Sequence, residues 1–458
     1  MFCKTVWNGM HILPDGQIRL CSIGTNSKPA LDMQRCRSPE GKQLNIIDDE
    51  LIDIMNSDKH REIRRLNVKN PESWSPHCDC CENREIITDF DREHTNKSRR
   101  VYLMGMQTDE TVSENDFATK MADDGSVDWL PSSLDIRFGN LCNQKCIMCN
   151  PTFSNLWYDE WFDYYKNMPF GQGDIKVKLE RNPNTNKWIQ PKELQWFEDP
   201  RFWKRFDQLA PHLRHIYITG GEPMVTPAHD EMLDKLIDGG YANNIWLEYD
   251  TNCSTINRKI ADRWKHFGKV ELRGSMDAIK DQYEIVRYGG KWDKFVENVK
   301  KLQKYQVESN GTIELLAVST CFQMSTMFSI IESEQWCKEI GVGFHLRFLE
   351  GPIHHSVASL PDVAKLKLID YYTQHIATSE KAEIIIKHLK NHLGEKYHKP
   401  KAVKEFVKFM NYLDTTRKTD WKAVFPEVVD LIKESSASLA IGDVQPTFNS
   451  YSLSDLSN

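Results

Sequence analysis

The sequence predicts an α/β protein: a partial barrel of six parallel strands, preceded by a small cysteine-rich unit and followed by a helical region. Three observations carry this expectation. Short apolar strand-like runs alternate with amphipathic helical patterns over residues 133–352. Half of the twelve cysteines fall within residues 1–95. Residues 353–435 read as helices with polar connections and no intervening strand pattern.

The strand-like runs are Leu134–Phe138, His215–Ile218, Ile245–Tyr249, Val270–Arg273, Ile313–Val318 and Gly343–Phe348. Between them, Val225, Met232, Leu233, Leu236 and Ile237 share one helical face, which Gly239-Gly240 ends. Trp292, Phe295, Val296, Val299 and Leu302 recur at spacings of three and four, as a second such face. Strand–helix alternation predicts parallel strands joined by right-handed crossovers. Six strands rather than eight predict an open or partial barrel. Residues 150–210 interrupt the alternation with Trp157, Trp161, Trp188, Trp196 and Trp203. They are expected to pack over the barrel mouth or line a substrate cleft. Residues 96–132 form an acidic linker or loop, and the Ser- and Asn-rich tail 436–458 is expected to be loosely ordered.

A length of 458 residues supports two or three structural units. The 40% hydrophobic and 27% charged content is that of an ordinary globular protein. A net charge of −7 counts against a nucleic-acid binder. No apolar run reaches the roughly 18 residues that a membrane span needs. Met1-Phe2-Cys3-Lys4 does not begin an export signal, so a cytoplasmic location is expected. Cysteines there are not normally disulfides. The tight groups 78-80-81 and 142-146-149 read as metal or cluster ligands.

Cys142-x3-Cys146-x2-Cys149 follows directly on the first barrel strand. The three thiolates therefore lie in a loop at a strand's C-terminal end, where barrel enzymes carry their chemistry. Three thiolates on a [4Fe–4S] cube leave one iron without a protein ligand, since full ligation takes four. A structural zinc site would want a fourth ligand nearby, and no His or Cys occurs between Asn150 and Ala210.

In this triad the sequence resembles the radical S-adenosylmethionine (SAM) superfamily, over roughly residues 133–350. The second strand ends in Gly220-Gly221-Glu222-Pro223, similar to the superfamily's Gly-Gly-Glu-Pro segment. The third ends in Asp250-Thr251-Asn252 and the fourth in Ser275-Met276-Asp277, and Arg287 follows in Val286-Arg287-Tyr288-Gly289. The resemblance implies that Cys142, Cys146 and Cys149 hold the SAM-binding cluster. It implies that Gly220, Gly221, Glu222 and Pro223 meet the cofactor's amino group. Asn252, Ser275, Asp277 and Arg287 would reach its ribose or carboxylate, a guanidinium being suited to a carboxylate. The implied chemistry is reductive cleavage of SAM to methionine and a 5′-deoxyadenosyl radical that takes hydrogen from a substrate. The electron would come from a low-potential donor such as flavodoxin or ferredoxin.

In the first unit, Gly16 permits a turn between two short strands, Asn8–Leu13 and Gln17–Leu20. Four thiolates from separated segments suit a fully ligated cube that also staples a small unit. The pattern resembles the twitch domain, a short form of the SPASM domain, which carries an auxiliary [4Fe–4S] cluster. Better-known members have that domain after the barrel; here it precedes it. The implied ligands are Cys3, Cys21, Cys78 and Cys81, with Cys80 and Cys36 as competitors, and zinc on the same four sulfurs is the alternative. Cys253, Cys321 and Cys337 are expected as buried small hydrophobes.

The resemblance implies an enzyme acting on a peptide or protein side chain, since SPASM and twitch enzymes commonly act on ribosomally made peptides. The alternative is a nucleotide- or nucleic-acid-modifying radical SAM enzyme, for which Lys59, His60, Arg61, Arg64, Arg65 and Lys69 are the main support. Those residues fit equally well the solvated face of a helix. A non-catalytic two-cluster electron-transfer protein is the third reading, but an electron carrier has no need of an open iron.

Overall fold

A computed structural model describes residues 5–21, 35–38, 40–70, 118–171 and 176–435. Its spine is one eight-stranded sheet: β1 (Gly9–Ile12), β2 (Ile18–Arg19), β3 (Ser133–Ile136), β4 (His215–Ile218), β5 (Trp246–Thr251), β6 (Lys269–Ser275), β7 (Ile313–Phe322) and β8 (Gly343–Phe348). The order is β2-β1-β3-β4-β5-β6-β7-β8. From β3 to β8 every neighbouring pair is parallel, giving the six expected strands in chain order. The sequence did not foretell the edge. The N-terminal hairpin of β1 and β2 joins this sheet, with β1 parallel to β3 and Gly9 opposite Ser133.

The sheet is strongly curled. Neighbouring strands lie about 4.8 Å apart, so strands three positions apart would be about 14 Å apart in a flat sheet. Yet Arg347 on β8 reaches Asp250 on β5 at 3.1 Å. Such contact across two intervening strands requires a concave inner face. That face is polar: Ser133, Asp135, His215, Tyr217, Glu248, Asp250, Arg273, Ser319, Cys321, His345 and Arg347 alternate along it. Their neighbours Leu134, Ile136, Ile216, Ile218, Leu247, Tyr249, Val270 and Leu272 are buried in the outer core. The helices Pro227–Asp238, Arg258–Trp264 and Trp292–Glu308 supply Met232, Leu233, Leu236, Trp264, Phe295, Val299 and Leu302 to that core.

The region after β8 contains the helices Asp362–Thr373, Ala382–Asn391, Pro400–Arg417 and Pro426–Ser435. They build a second core of Leu368, Tyr372, Ile385, Phe406, Phe409, Met410 and Trp421. Ile147 and Trp157, next to the cysteine motif, belong to the same core. The tryptophans of 150–210 divide by neighbourhood. Trp157 enters this second core, Trp161 a small third one with Tyr158 and Phe170, and Trp196 the main core.

The basic helix Asp58–Lys69 does internal work. Arg64 is buried and donates to the carbonyls of Val6 and Met55 at 2.8 and 2.7 Å, and His60 is also buried. Arg61 pairs with Asp58 and Asp124. The tail 436–458, and the part of the acidic segment before residue 118, lie outside the described residues.

Candidate functional site

The cysteine loop leaves β3 through Gly139, whose φ of +60° and tight packing against Leu194 exclude a side chain. Asn140, fully buried, donates to the Pro151 carbonyl at 2.6 Å and accepts from Gln190 at 2.6 Å. The amide of Cys142 donates to the Asn155 side chain at 3.1 Å, and the Asn155 amide to the Asn140 carbonyl at 2.9 Å. Cys149 closes a turn on the Cys146 carbonyl at 2.9 Å, and the Trp157 indole donates to that same carbonyl at 3.1 Å.

The loop is also held by the segment after β6. The amides of Lys145 and Ile147 donate to the carbonyls of Tyr288 and Val286, both at 2.9 Å. A Cβ on Gly290 would meet Gln144 at 2.7 Å and Tyr283 at 2.8 Å, so the glycine is what allows this approach. Asn143 bonds Asn252 at 2.9 Å and Ser254 at 2.7 Å, tying the loop to the end of β5.

The second strand end lies against the same loop. Gly221 is within reach of the Leu141 carbonyl, and a Cβ there would approach it to 2.1 Å. The Glu222 amide donates to that carbonyl at 2.8 Å. The buried Glu222 carboxylate accepts from the Thr251 hydroxyl at 2.6 Å, the Asn252 amide at 2.8 Å and the Met224 amide at 3.4 Å. Its side chain thus braces β4 against β5 rather than standing open to a ligand. Pro223 begins the short helical turn that follows. Ser275, half-buried, ends β6.

Asp277, buried and at a φ of +66°, accepts from the Cys321 amide at 2.8 Å and pairs with Arg287 at 2.7 Å. Arg287 Nη1 lies 3.8 Å from the Cys146 sulfur. Burial works against the arginine's charge, but Asp277 and Cys146 together hold its pKa above the ordinary value.

The three cysteines are half-buried by area, and dense protein surrounds each sulfur. Burial first, and then the charge of Cys146, pushes the Cys142 thiol up to about 12. Burial followed by repulsion from Cys146 and Cys142 raises Cys149 as well. The bare thiols are held protonated, so metal binding here must release protons. Among the described residues, no three His, Cys, Asp or Glu side chains converge tightly enough for a single metal ion. The triad therefore suits a group larger than one ion, such as a cube whose thiolates bind different irons. The donor set, three thiols and no fourth among the described residues, matches a cluster with one open corner.

Of the other expected ligands, Cys21 ends a described segment and is half-buried, while Cys3, Cys78, Cys80 and Cys81 lie outside the described residues. Cys36 is buried in the main core with its sulfur 3.7 Å from His60 Nδ1. Cys253 and Cys337 are buried as expected. Cys321 is not: it is half-buried on the inner face, because strand alternation places it in phase with Ser319. The sequence reading missed Asn140, Asn143, Gln144 and Asn155. Their signal was the density of amide side chains in a loop whose backbone cannot pair with a sheet. It also missed Glu160 and Arg417, which nothing local to the motif announces.

The family model of the radical SAM superfamily matches residues 136–319, and that of the SPASM iron–sulfur cluster-binding domain matches residues 3–82. No curated protein matches the chain. Among solved structures, native anSMEcpe with bound AdoMet and the Cp18Cys peptide is 16% identical, over 54% of this chain and 60% of that one, with a TM-score of 0.34. Streptococcus suis SuiB bound to S-adenosylmethionine is 16% identical, over 65% of this chain and 60% of that one, with a TM-score of 0.34. The chain thus spans about three-fifths of the length of these solved structures.

Proposed function

We propose that this chain, whose residues 136–319 match the radical SAM superfamily and whose residues 3–82 match an iron–sulfur cluster-binding domain, is a radical SAM enzyme that abstracts hydrogen from a peptide or protein side chain held in the barrel lumen. Its cofactors are a [4Fe–4S] cluster, an auxiliary cluster and SAM. The cluster and SAM together supply a 5′-deoxyadenosyl radical. The carrying observation is the loop of Cys142, Cys146 and Cys149, fixed by Asn143, Asn155 and Trp157 at the C-terminal edge of a curled parallel sheet.

The chain's own residues have distinct tasks in this reading. The three cysteines ligate the cube. Arg287, anchored on Asp277 beside Cys146, offers a guanidinium to a carboxylate of SAM. The close approach at Gly221 brings the Gly220–Pro223 backbone against the cysteine loop. Glu222 and Asn252 position that backbone through their mutual bonds. A substrate group would meet the concave polar face, where Asp250 and Arg347 stand.

The peptide reading is supported by the auxiliary-cluster domain and by the internal use of the basic helix, whose Arg64 is buried and whose Arg61 is ion-paired. A low-potential donor such as flavodoxin or ferredoxin would deliver the electron, as expected of a cytoplasmic enzyme. No helix among the described residues is long and apolar enough to cross a membrane.

The test is anaerobic reconstitution with iron and sulfide, followed by SAM and dithionite. Wild type should form 5′-deoxyadenosine and Cys146→Ala should not. Equal product from both sinks the reading.

A further inference from the structure

The inner face of the sheet carries a continuous chain of charge. Ser133 meets His215 at 3.0 Å and His215 meets Glu248 at 2.9 Å. Arg273 then bonds Glu248, and reaches Asp250 at 3.0 Å. Asp250 also accepts from Tyr217 at 2.5 Å and from Arg347 at 3.1 Å. His11 and Arg137 both approach Asp135 at 3.3 Å.

The two ends of this chain are unequal. The carboxylates Glu248 and Asp250 are 14% and 16% exposed and surrounded by donors. Arg137 and Arg273 on this face, and Arg287 beside it, are nearly closed off, with side-chain exposures of 13%, 5% and 13%. Arg347 is 41% exposed. Its Nη2 is on Asp250 and its Nε is 3.5 Å from His345 Nδ1, while Nη1 has no partner among the described residues. A guanidinium has five N–H donors, and a fork with unused ones binds carboxylates.

Arg347 also lies on the route to the reacting centre. It stands opposite Cys321 in the β7–β8 pairing. The Cys321 amide is bonded to Asp277, which is paired with Arg287, which lies beside Cys146. Only a few contacts separate the exposed cation from the cluster loop.

We propose that Arg347 is the anchor of a carboxylate-binding subsite in the lumen, held at its fixed angle by Asp250, and that the substrate presents an acidic group there. This rests on the reading that a peptide enters the lumen. The carboxylate comes from an acidic side chain or from a chain terminus, and the test separates the two. Asp250 is a positioning residue in this arrangement: its bond to Nη2 holds the guanidinium.

The test uses the full reconstituted chain in chloride buffer with three blocked dipeptides. N-acetyl-glutamyl-glycinamide has only a side-chain carboxylate, N-acetyl-glutaminyl-glycine only a terminal one, and N-acetyl-glutaminyl-glycinamide neither. Phenylglyoxal modification of Arg347 is followed by peptide mass spectrometry. Arg347 should react, and one or both of the acidic peptides should slow the reaction at least threefold, while the neutral one leaves it unchanged. Which peptide protects identifies the source of the carboxylate. Equal rates with all three, or an Arg347 that does not react at all, overturns the subsite. Because Arg347→Gln also strips Asp250 of a partner, Arg347→Lys is the second arm. It keeps the charge and loses the fork, and should weaken binding of the protecting peptide about tenfold; unchanged affinity overturns the proposal. Neither arm involves SAM cleavage. Protection without 5′-deoxyadenosine formation sinks only the proposed function, and product without protection sinks only the subsite.

Discussion

Arg417, the last residue of the helix Pro400–Arg417, lays its guanidinium across the Glu160 carboxylate, with Nε–Oε1 at 2.9 Å and Nη2–Oε2 at 2.7 Å. Both side chains are buried. The guanidinium sits 5.0 Å from the Trp157 ring centroid and 4.7 Å from that of Tyr288. Lys145, inside the cysteine motif, bonds the same carboxylate at 2.7 Å. Trp157 holds the Cys146 carbonyl and Tyr288 the Lys145 amide. Arg417 therefore clamps the loop that carries Cys142, Cys146 and Cys149.

Arg417→Gln leaves Glu160 buried with Lys145 as its remaining cation. Breaking a buried, hydrogen-bonded ion pair costs about 3–5 kcal/mol. The variant should lose several degrees of Tm and retain less iron after desalting, measured by thermal unfolding and iron assay. Combining it with Glu160→Gln should cost less than the sum of the two single changes, because the partners share one interaction. Strict additivity would show that the clamp is not a unit.

Gly221→Ala should damage the cysteine loop without touching a cysteine. The added Cβ would lie 2.1 Å from the Leu141 carbonyl, so backbone must move. Iron content after reconstitution is expected to fall by half or more. Val307→Ala, at a position 82% exposed on the helix Trp292–Glu308, should leave it unchanged. Full iron loading of Gly221→Ala would contradict the close approach seen here.

Asp15 gives a pH-dependent prediction. It is buried in the hairpin turn, accepts from the Gln17 amide at 3.2 Å, and burial raises its pKa to about 6. A carboxyl raised above its unfolded value is best tolerated when protonated. Its cost is absent below about pH 4, grows as pH rises toward 6, and persists above. Asp15→Asn keeps an acceptor for Gln17 without the charge. It should raise stability at pH 7.5 by on the order of 2 kcal/mol, from 1.36 kcal/mol per pK unit discounted for relaxation. The gain should shrink at pH 5.5. Thermal unfolding at the two pH values decides it, and an equal gain at both would point to a cause other than titration.

The N-terminal site is tested by counting metal. Two cubes correspond to about eight irons per chain, and one cube with a zinc site to about four irons and one zinc. Cys21→Ser should remove about four irons in the first case, leaving the cluster at Cys142, Cys146 and Cys149 intact by electron paramagnetic resonance. Loss of zinc with iron unchanged would assign the N-terminal sulfurs to zinc.

Much of the site was legible in the sequence because its signals are local. The spacing of Cys142, Cys146 and Cys149 directly after a strand states both the cysteine triad and its place at the sheet's edge. Gly220-Gly221-Glu222-Pro223 announces a second strand end, and the positive φ at Gly220 is a local reason for its glycine. The alternation of Asp135, Tyr217, Asp250, Arg273 and Arg347 with apolar neighbours is also written in each strand. It separates an inner from an outer face before any pairing is known.

What tertiary structure alone decided are the long-range contacts. The pairing of β1 with β3 brings residue 9 beside residue 133, and no periodicity encodes a partner so far away in the chain. The role of Glu222 as a brace depends on Thr251 and Asn252 arriving from the next strand. The curl of the sheet determines that Arg347 meets Asp250, and burial by surrounding elements leaves Arg347 more exposed than Arg137 or Arg273. The sequence by itself therefore determined where three cysteines stand together after a strand, since spacing is a property of adjacent residues. The fold decided what clamps that loop and what partner Arg347 meets, since both depend on contacts between segments that only packing brings together.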